Sequence, residues 1–65
     1  MHNTKPKTFV FYTKDGSFIY SEPMYFDLVS IENIIKVNKT ITIVDDEGFK
    51  NLIYTKHIVK IKEVK

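Results

Sequence analysis

The sequence predicts an all-β domain, a small five- to six-stranded barrel built from hairpins. Three observations carry that expectation. The chain has 65 residues, enough for one domain with a thin core. Ile, Val and Thr fill 21 of the 65 positions while alanine and glutamine are absent, so residues that suit a pleated surface outnumber strong helix formers. Short apolar runs are also punctuated by Asp15-Gly16 and Glu47-Gly48, dipeptides that close hairpins.

Composition narrows the classes further. The chain has no cysteine, which excludes a disulfide framework and a thiolate metal site. No apolar run approaches the ~18 residues of a membrane span, and residues 1–8 carry no signal-peptide pattern. A soluble cytoplasmic domain without membrane contact is expected. Residues 1–7, polar and interrupted by Pro6, read as a flexible tail, and residues 8–65 as the single domain.

Thr8–Thr13 is the first expected strand, and a second runs through Tyr20. A two-residue Asp15-Gly16 loop pairs Thr13 with Phe18, Tyr12 with Ile19 and Phe11 with Tyr20. Phe9, Phe11, Phe18 and Tyr20 then share one face, the expected core, and Val10, Tyr12 and Ile19 share the other. Those four aromatics are also the side chains that could stack on bases, but a chain this small needs them inside.

The stretch 22–33 is ambiguous. Leu28, Ile31 and Ile35 fit a helical stripe, whereas Val29, Ile31, Ile34 and Ile35 are weak helix formers. Loop followed by strand is the expectation, with one short helix near 26–35 as the alternative. From Ile34 a meander is expected, with Asn38-Lys39 closing one hairpin and Glu47-Gly48 the next. A two-residue second loop sets Ile41 and Ile43 beside Leu52 and Tyr54, with Asp45 opposite Lys50. A three-residue loop is set aside because it scatters those apolar residues over both faces. Ile58–Val64 is the final strand, with Val59 and Ile61 on one side and Lys60 and Lys62 on the other.

Catalytic and metal chemistry find little footing. His57 and His2 are the only histidines, too few for a zinc site without long reach. Asp45-Asp46-Glu47-Gly48 lacks the alternating acids of a calcium loop and reads as turn chemistry. Ser17, Ser21 and Ser30 have no nucleophile-elbow pattern, and two glycines in the chain leave no phosphate-cradling loop. No enzyme, cofactor or metal is expected.

Binding surfaces are the better candidates. All ten basic residues are lysines and the net charge is +2, with acids concentrated at 15–35 and 45–47 and lysines toward both ends. The second sheet face carries Ile35, Val37, Thr40, Thr42 and Ile53, uncharged and β-branched. Lys36, Lys39, Lys56, Lys60 and Lys62 flank it as candidate phosphate contacts.

Ile34 through Gly48 resembles, without gaps, the central hairpin of the seven-kilodalton chromatin proteins of thermoacidophilic archaea. Phe9–Tyr20, with its Lys-Asp-Gly turn, resembles that family's first hairpin. The resemblance covers about half the chain and implies an SH3-like barrel whose sheet lies on the DNA minor groove, with Ile35, Val37, Thr40 and Thr42 at the wedge positions. No tryptophan, methionine or arginine stands there, and the strand-like Ile58–Val64 replaces the family's C-terminal helix.

The expected fold is therefore an SH3-like or Sm-like small barrel, and the expected function non-catalytic binding of DNA or RNA through the face Ile35–Thr42 and its lysines. The alternative is a protein-interaction module, an inhibitor or accessory factor of the kind phages and other mobile elements carry, or a homo-oligomer. No lysine projects from the uncharged platform on this register, which favours the alternative.

Overall fold

The computed structural model describes residues 5–64. The elements are β1 (Thr8–Thr13), β2 (Phe18–Tyr20), α1 (Leu28–Val37), β3 (Thr40–Val44), β4 (Lys50–Tyr54), a 3-10 turn (Thr55–His57) and β5 (Ile58–Val64). The domain is β-rich with one short helix. Its strands form two antiparallel sheets, β2-β1-β5 and β3-β4, rather than one closed barrel. Of the expected tail, residues 1–4 lie outside the described residues, and Lys7 exchanges backbone hydrogen bonds with Met24 at 2.7 and 2.8 Å.

Both hairpin loops hold three residues, not two. Thr13 N–H donates to the Ser17 carbonyl at 3.0 Å and Gly16 N–H to the Thr13 carbonyl at 3.1 Å. Asp45 and Gly48 repeat the pattern, with bonds of 2.9 Å to Phe49 and 3.0 Å back to Asp45. A two-residue type I′ loop needs positive φ at both centres, which would drive Asp15 and Glu47 into the left-handed region. In the three-residue loops only the glycines go there, Gly16 at φ 89° and Gly48 at φ 88°. Side chains fix the turns. Asp15 accepts from the Thr13 hydroxyl and from Ser17 N–H, and Asp45 from the N–H groups of Glu47 and Phe49.

One residue of slip reverses which side chains face inward. Phe11 lies opposite Ile19, Tyr12 opposite Phe18 and Val10 opposite Tyr20. Phe9 and Phe11 are buried as expected, but Phe18 and Tyr20 turn outward, 54% and 48% exposed, and Ile19 packs on the core instead. The second hairpin shows the same correction. Ile41 pairs with Ile53 and Ile43 with Asn51, so Ile53 faces inward while Leu52 and Tyr54 stand outside beside Thr42 and Thr40. Asn51, at the end of that inner face, donates to the Ile43 and Phe49 carbonyls and to Asp45.

Residues 28–37 form a helix, not the end of a loop and a strand. Asp27 caps it by accepting from Ser30 N–H at 2.9 Å. Ile31 is buried, and Leu28 and Ile35 pack beside it, while Val29 and Val37 face solvent. The cap and the three-residue apolar stripe outweigh the modest penalty of β-branched side chains. Asn38, expected in a hairpin turn, instead closes the helix, donating from N–H and Nδ2 to the Ile34 carbonyl at 3.1 and 2.8 Å.

The core is Phe9, Phe11, Ile31 and Ile43, ringed by half-buried aliphatics from β2, β3, β4, β5 and the helix, and by Met24. The sheets meet through Ser21, which bridges to Asp45: Glu22 N–H reaches the Val44 carbonyl at 2.8 Å and Asp46 N–H the Tyr20 carbonyl at 3.1 Å. Ser21 is 1% exposed, and its hydroxyl accepts the Phe9 N–H at 3.0 Å. The Ser21→Ala variant strands that N–H in the core and should lose ~1–3 kcal/mol in urea unfolding at unchanged m-value. A variant as stable as the parent would show that this bond does not hold the joint.

Acid sensitivity follows from the turn and cap carboxylates. Asp15 is held below the ordinary carboxyl range by the Thr13 hydroxyl and then Ser17 N–H, Asp27 by Ser30 N–H, and Asp45 chiefly by Phe49 N–H. Depressed folded values contribute stability that is present above the unfolded value near ~3.9 and lost as pH falls through the folded ones. The urea midpoint should be flat between about pH 7 and 5 and fall below about pH 4. Changing all three to Asn, which keeps an acceptor oxygen without the titration, should flatten that fall.

Candidate binding face

β1 alternates, so Phe9 and Phe11 go to the core while Val10 and Tyr12 go to the opposite face of the sheet. The slipped register of β2 sets Phe18 opposite Tyr12 and Tyr20 opposite Val10. β5, which skips Val59 at a bulge, sets Lys60 opposite Tyr12 and Lys62 opposite Val10. Two rows thus cross the sheet: Phe18, Tyr12, Lys60 and Tyr20, Val10, Lys62.

The rings are in mutual contact. Those of Tyr12 and Phe18 lie nearly parallel, 11° apart with centroids at 6.1 Å, and Tyr20 meets Phe18 edge-on at 5.6 Å. Lys60 Nζ is 5.9 Å from the centre of the Tyr12 ring, within cation–π range. Val10 is only 4% exposed although it lies on this outer face, and forms the floor between Tyr20 and Lys62. Neither Lys60 nor Lys62 makes an ion pair among the described residues; the one pair found joins Lys7 and Glu63 at 3.9 Å. On the far side of β2 the charge reverses. Asp45, Asp46 and Glu47 of the second hairpin line a shallow hollow with Phe18 and Tyr20.

The ten residues expected to form one binding face are dispersed. Ile35 and Ile53 pack against the core. Lys36 and Val37 lie on the last turn of α1, Lys39 between α1 and β3, and Lys56 in the 3-10 turn. Thr40 and Thr42 share the outer face of β3 with Leu52 and Tyr54, and only Lys60 and Lys62 reach the aromatic rows. An Ile35–Thr42 sheet face does not form, because its first half is helical. Tyr12 lies on the outer face as expected, whereas Phe18 and Tyr20 are the residues that the sequence pattern assigned to the core. The signal for them is glycine at the third position of each loop, which sets the register.

Comparison of the chain with known protein families, with curated proteins and with solved structures finds no match.

The division of the aromatics can be tested by stability. Phe11→Ala empties a core site and should cost ~3–5 kcal/mol, enough to unfold much of a domain this small. Phe18→Ala removes a half-exposed cross-strand partner and should cost ~1 kcal/mol or less. Comparable losses would place Phe18 in the core after all.

Proposed function

We propose that this chain is a non-catalytic nucleic-acid-binding module that works through the outer face of β2-β1-β5. The observation that carries this reading is a cluster of three contacting aromatic rings, Phe18 and Tyr20 half exposed and Tyr12 behind them, beside two lysines that make no ion pair among the described residues. Exposed apolar groups in a contiguous patch mark interaction sites. Aromatic rings beside lysines suit a ligand with flat bases and a phosphate backbone. The footprint is Tyr12, Phe18, Tyr20, Lys60 and Lys62 rather than Ile35–Thr42.

An SH3-like relationship is part of this reading. The strands succeed one another as β5-β1-β2 and, through the Ser21–Asp45 bridge, β3-β4, with a 3-10 turn before β5. That succession supports an opened SH3-like barrel, with α1 set between β2 and β3.

A second reading, a protein-interaction module, is favoured by the free edge of β3. Lys39 and Asp45 bond toward β4, so alternation turns the backbone of Thr40 and Thr42 the other way, where no strand pairs among the described residues. An apolar groove lined by Met24, Phe26, Ile34 and Ile41 runs beside it. Such an edge can accept a partner's strand.

Fluorescence anisotropy of labelled oligonucleotides at low and near-physiological salt tests the first reading. Affinity should fall log-linearly with salt. The Lys60→Gln/Lys62→Gln double variant should reduce the slope by about 1.4 on single strands or 1.8 on duplex, while Lys36→Gln/Lys39→Gln leaves it unchanged. No binding at low salt by the folded protein overturns this reading and leaves the β3 edge.

A further inference from the structure

We infer that the ligand of the β2-β1-β5 face is an unpaired nucleic-acid strand, with its bases on Phe18 and Tyr20, which Tyr12 backs, and its phosphates along Lys60 and Lys62. This rests on the nucleic-acid reading above and adds the kind of nucleic acid and its orientation. Two independent observations lead to it.

The first is the contact surface itself. The rings project from a sheet and are half open to solvent, Phe18 at 54% and Tyr20 at 48%. A base inside a duplex has both faces covered by its neighbours and offers a protein only groove edges and backbone. An unpaired base exposes its face, and stacking on a surface ring is how single strands are held. Phe18 and Tyr20 are the open rings, with Tyr12 held between Phe18 and Lys60 behind them, so the site is short and seats one or two bases.

The second is the distribution of charge across the sheet. Lysines lie on the β5 side of the rings, and carboxylates of Asp45, Asp46 and Glu47 on the β2 side. Strands in a sheet are about 4.8 Å apart, so β5 and β2 are separated by about 10 Å across β1. Grooves of B-DNA are about 6 and 12 Å wide. A groove laid over this face with one backbone on the lysines would carry the other toward the carboxylates. A single strand has one backbone. It can lie along β5 with its bases directed toward β2, clear of the acidic hairpin.

Neither stacking nor phosphate contact uses the 2′-hydroxyl, so DNA and RNA strands should bind alike. The experiment titrates the full chain against labelled oligo(dT), oligo(U) and a duplex of the same length at one low salt concentration. Both single strands should bind at least tenfold tighter than the duplex. Phe18→Leu keeps apolar bulk but removes a ring, and should weaken single-strand binding by about 5- to 150-fold, with circular dichroism confirming the fold. Asp46→Asn/Glu47→Gln should raise duplex affinity more than single-strand affinity. Equal binding of duplex and single strands, or an unchanged affinity in Phe18→Leu while Lys60→Gln/Lys62→Gln binds more weakly, would overturn the unpaired-strand inference and leave the nucleic-acid reading standing. A clear preference for oligo(U) over oligo(dT) that persists against oligo(dU), which carries the same base, overturns the stated orientation, because it then requires 2′-hydroxyl contacts. Failure of all three probes to bind the folded protein removes the reading beneath it as well.

Discussion

The conformation of two glycines governs much of this structure. Gly16 and Gly48 each take up the one left-handed residue of a three-residue loop, and every other described residue keeps negative φ. The alternative loop would place Asp15 and Glu47 in that region, at a cost of ~1–2 kcal/mol for Glu47 and less for Asp15, whose short polar side chain can visit it. That difference is local and small, yet it fixes the parity of both hairpins. From the parity follow Phe9, Phe11, Ile41, Ile43 and Ile53 inside, and Phe18, Tyr20, Leu52 and Tyr54 outside. The asparates then reinforce the choice, because the amides they accept from are correctly placed only in the three-residue geometry.

The two hairpins would be marginal alone, since a two-stranded ribbon has too little face to bury. Ser21 and α1 make them one body. At Ser21 the chain stops following β1 and crosses to β3, and its hydroxyl takes the Phe9 amide that a continuing strand would have paired. The helix then lays Leu28, Ile31 and Ile35 over the core. Thr55 ties the far end, its N–H donating to the Lys39 carbonyl at 2.9 Å and its hydroxyl to the Asn38 carbonyl at 2.7 Å. The helix exit and the end of β4 are thereby held together just before β5 begins.

Much of the β framework is legible in the sequence. The strands at Thr8–Thr13 and Ile58–Val64 and the two hairpin positions follow from β-branched runs between glycine turns. Register is not legible from hydrophobic pattern alone, because Phe9–Tyr12 and Phe18–Tyr20 are apolar at every position and either parity buries aromatic rings. Loop chemistry decides there, and Lys14-Asp15-Gly16 and Asp46-Glu47-Gly48 both place glycine third. The helix was signalled by the stripe Leu28, Ile31, Ile35 and by Asp27 at the capping position, a local hydrogen bond that propensity alone does not register. The candidate face depends on register for Phe18 and Tyr20, which an error of one residue moves to the other side of the sheet.

Among the described residues eleven large apolar side chains are exposed, and single exposed apolar groups are ordinary on a protein surface. They fall on different elements. Tyr25, Phe26, Val29 and Val37 surround the helix, Leu52 and Tyr54 lie on the outer face of β4, and Phe18 and Tyr20 join Tyr12 on the three-stranded sheet. Apolar exposure alone therefore does not select among them. Charge beside rings in mutual contact does. On the three-stranded sheet the rings are contiguous and bordered by opposite charges on opposite sides, a polarity that suits a ligand with a charged edge and a flat apolar edge. The Leu52–Tyr54 face has charge of both signs beside it as well, Lys14 and Asp15 at one side and Lys39 and Lys56 at another, but among the described residues Tyr54 meets only the His57 ring and no second Phe or Tyr. Burying Phe18 and Tyr20 in place of Ile19 was open to this sequence through a shorter loop, and the fold instead places Gly16 third in a longer one, whose register keeps the rings in solvent.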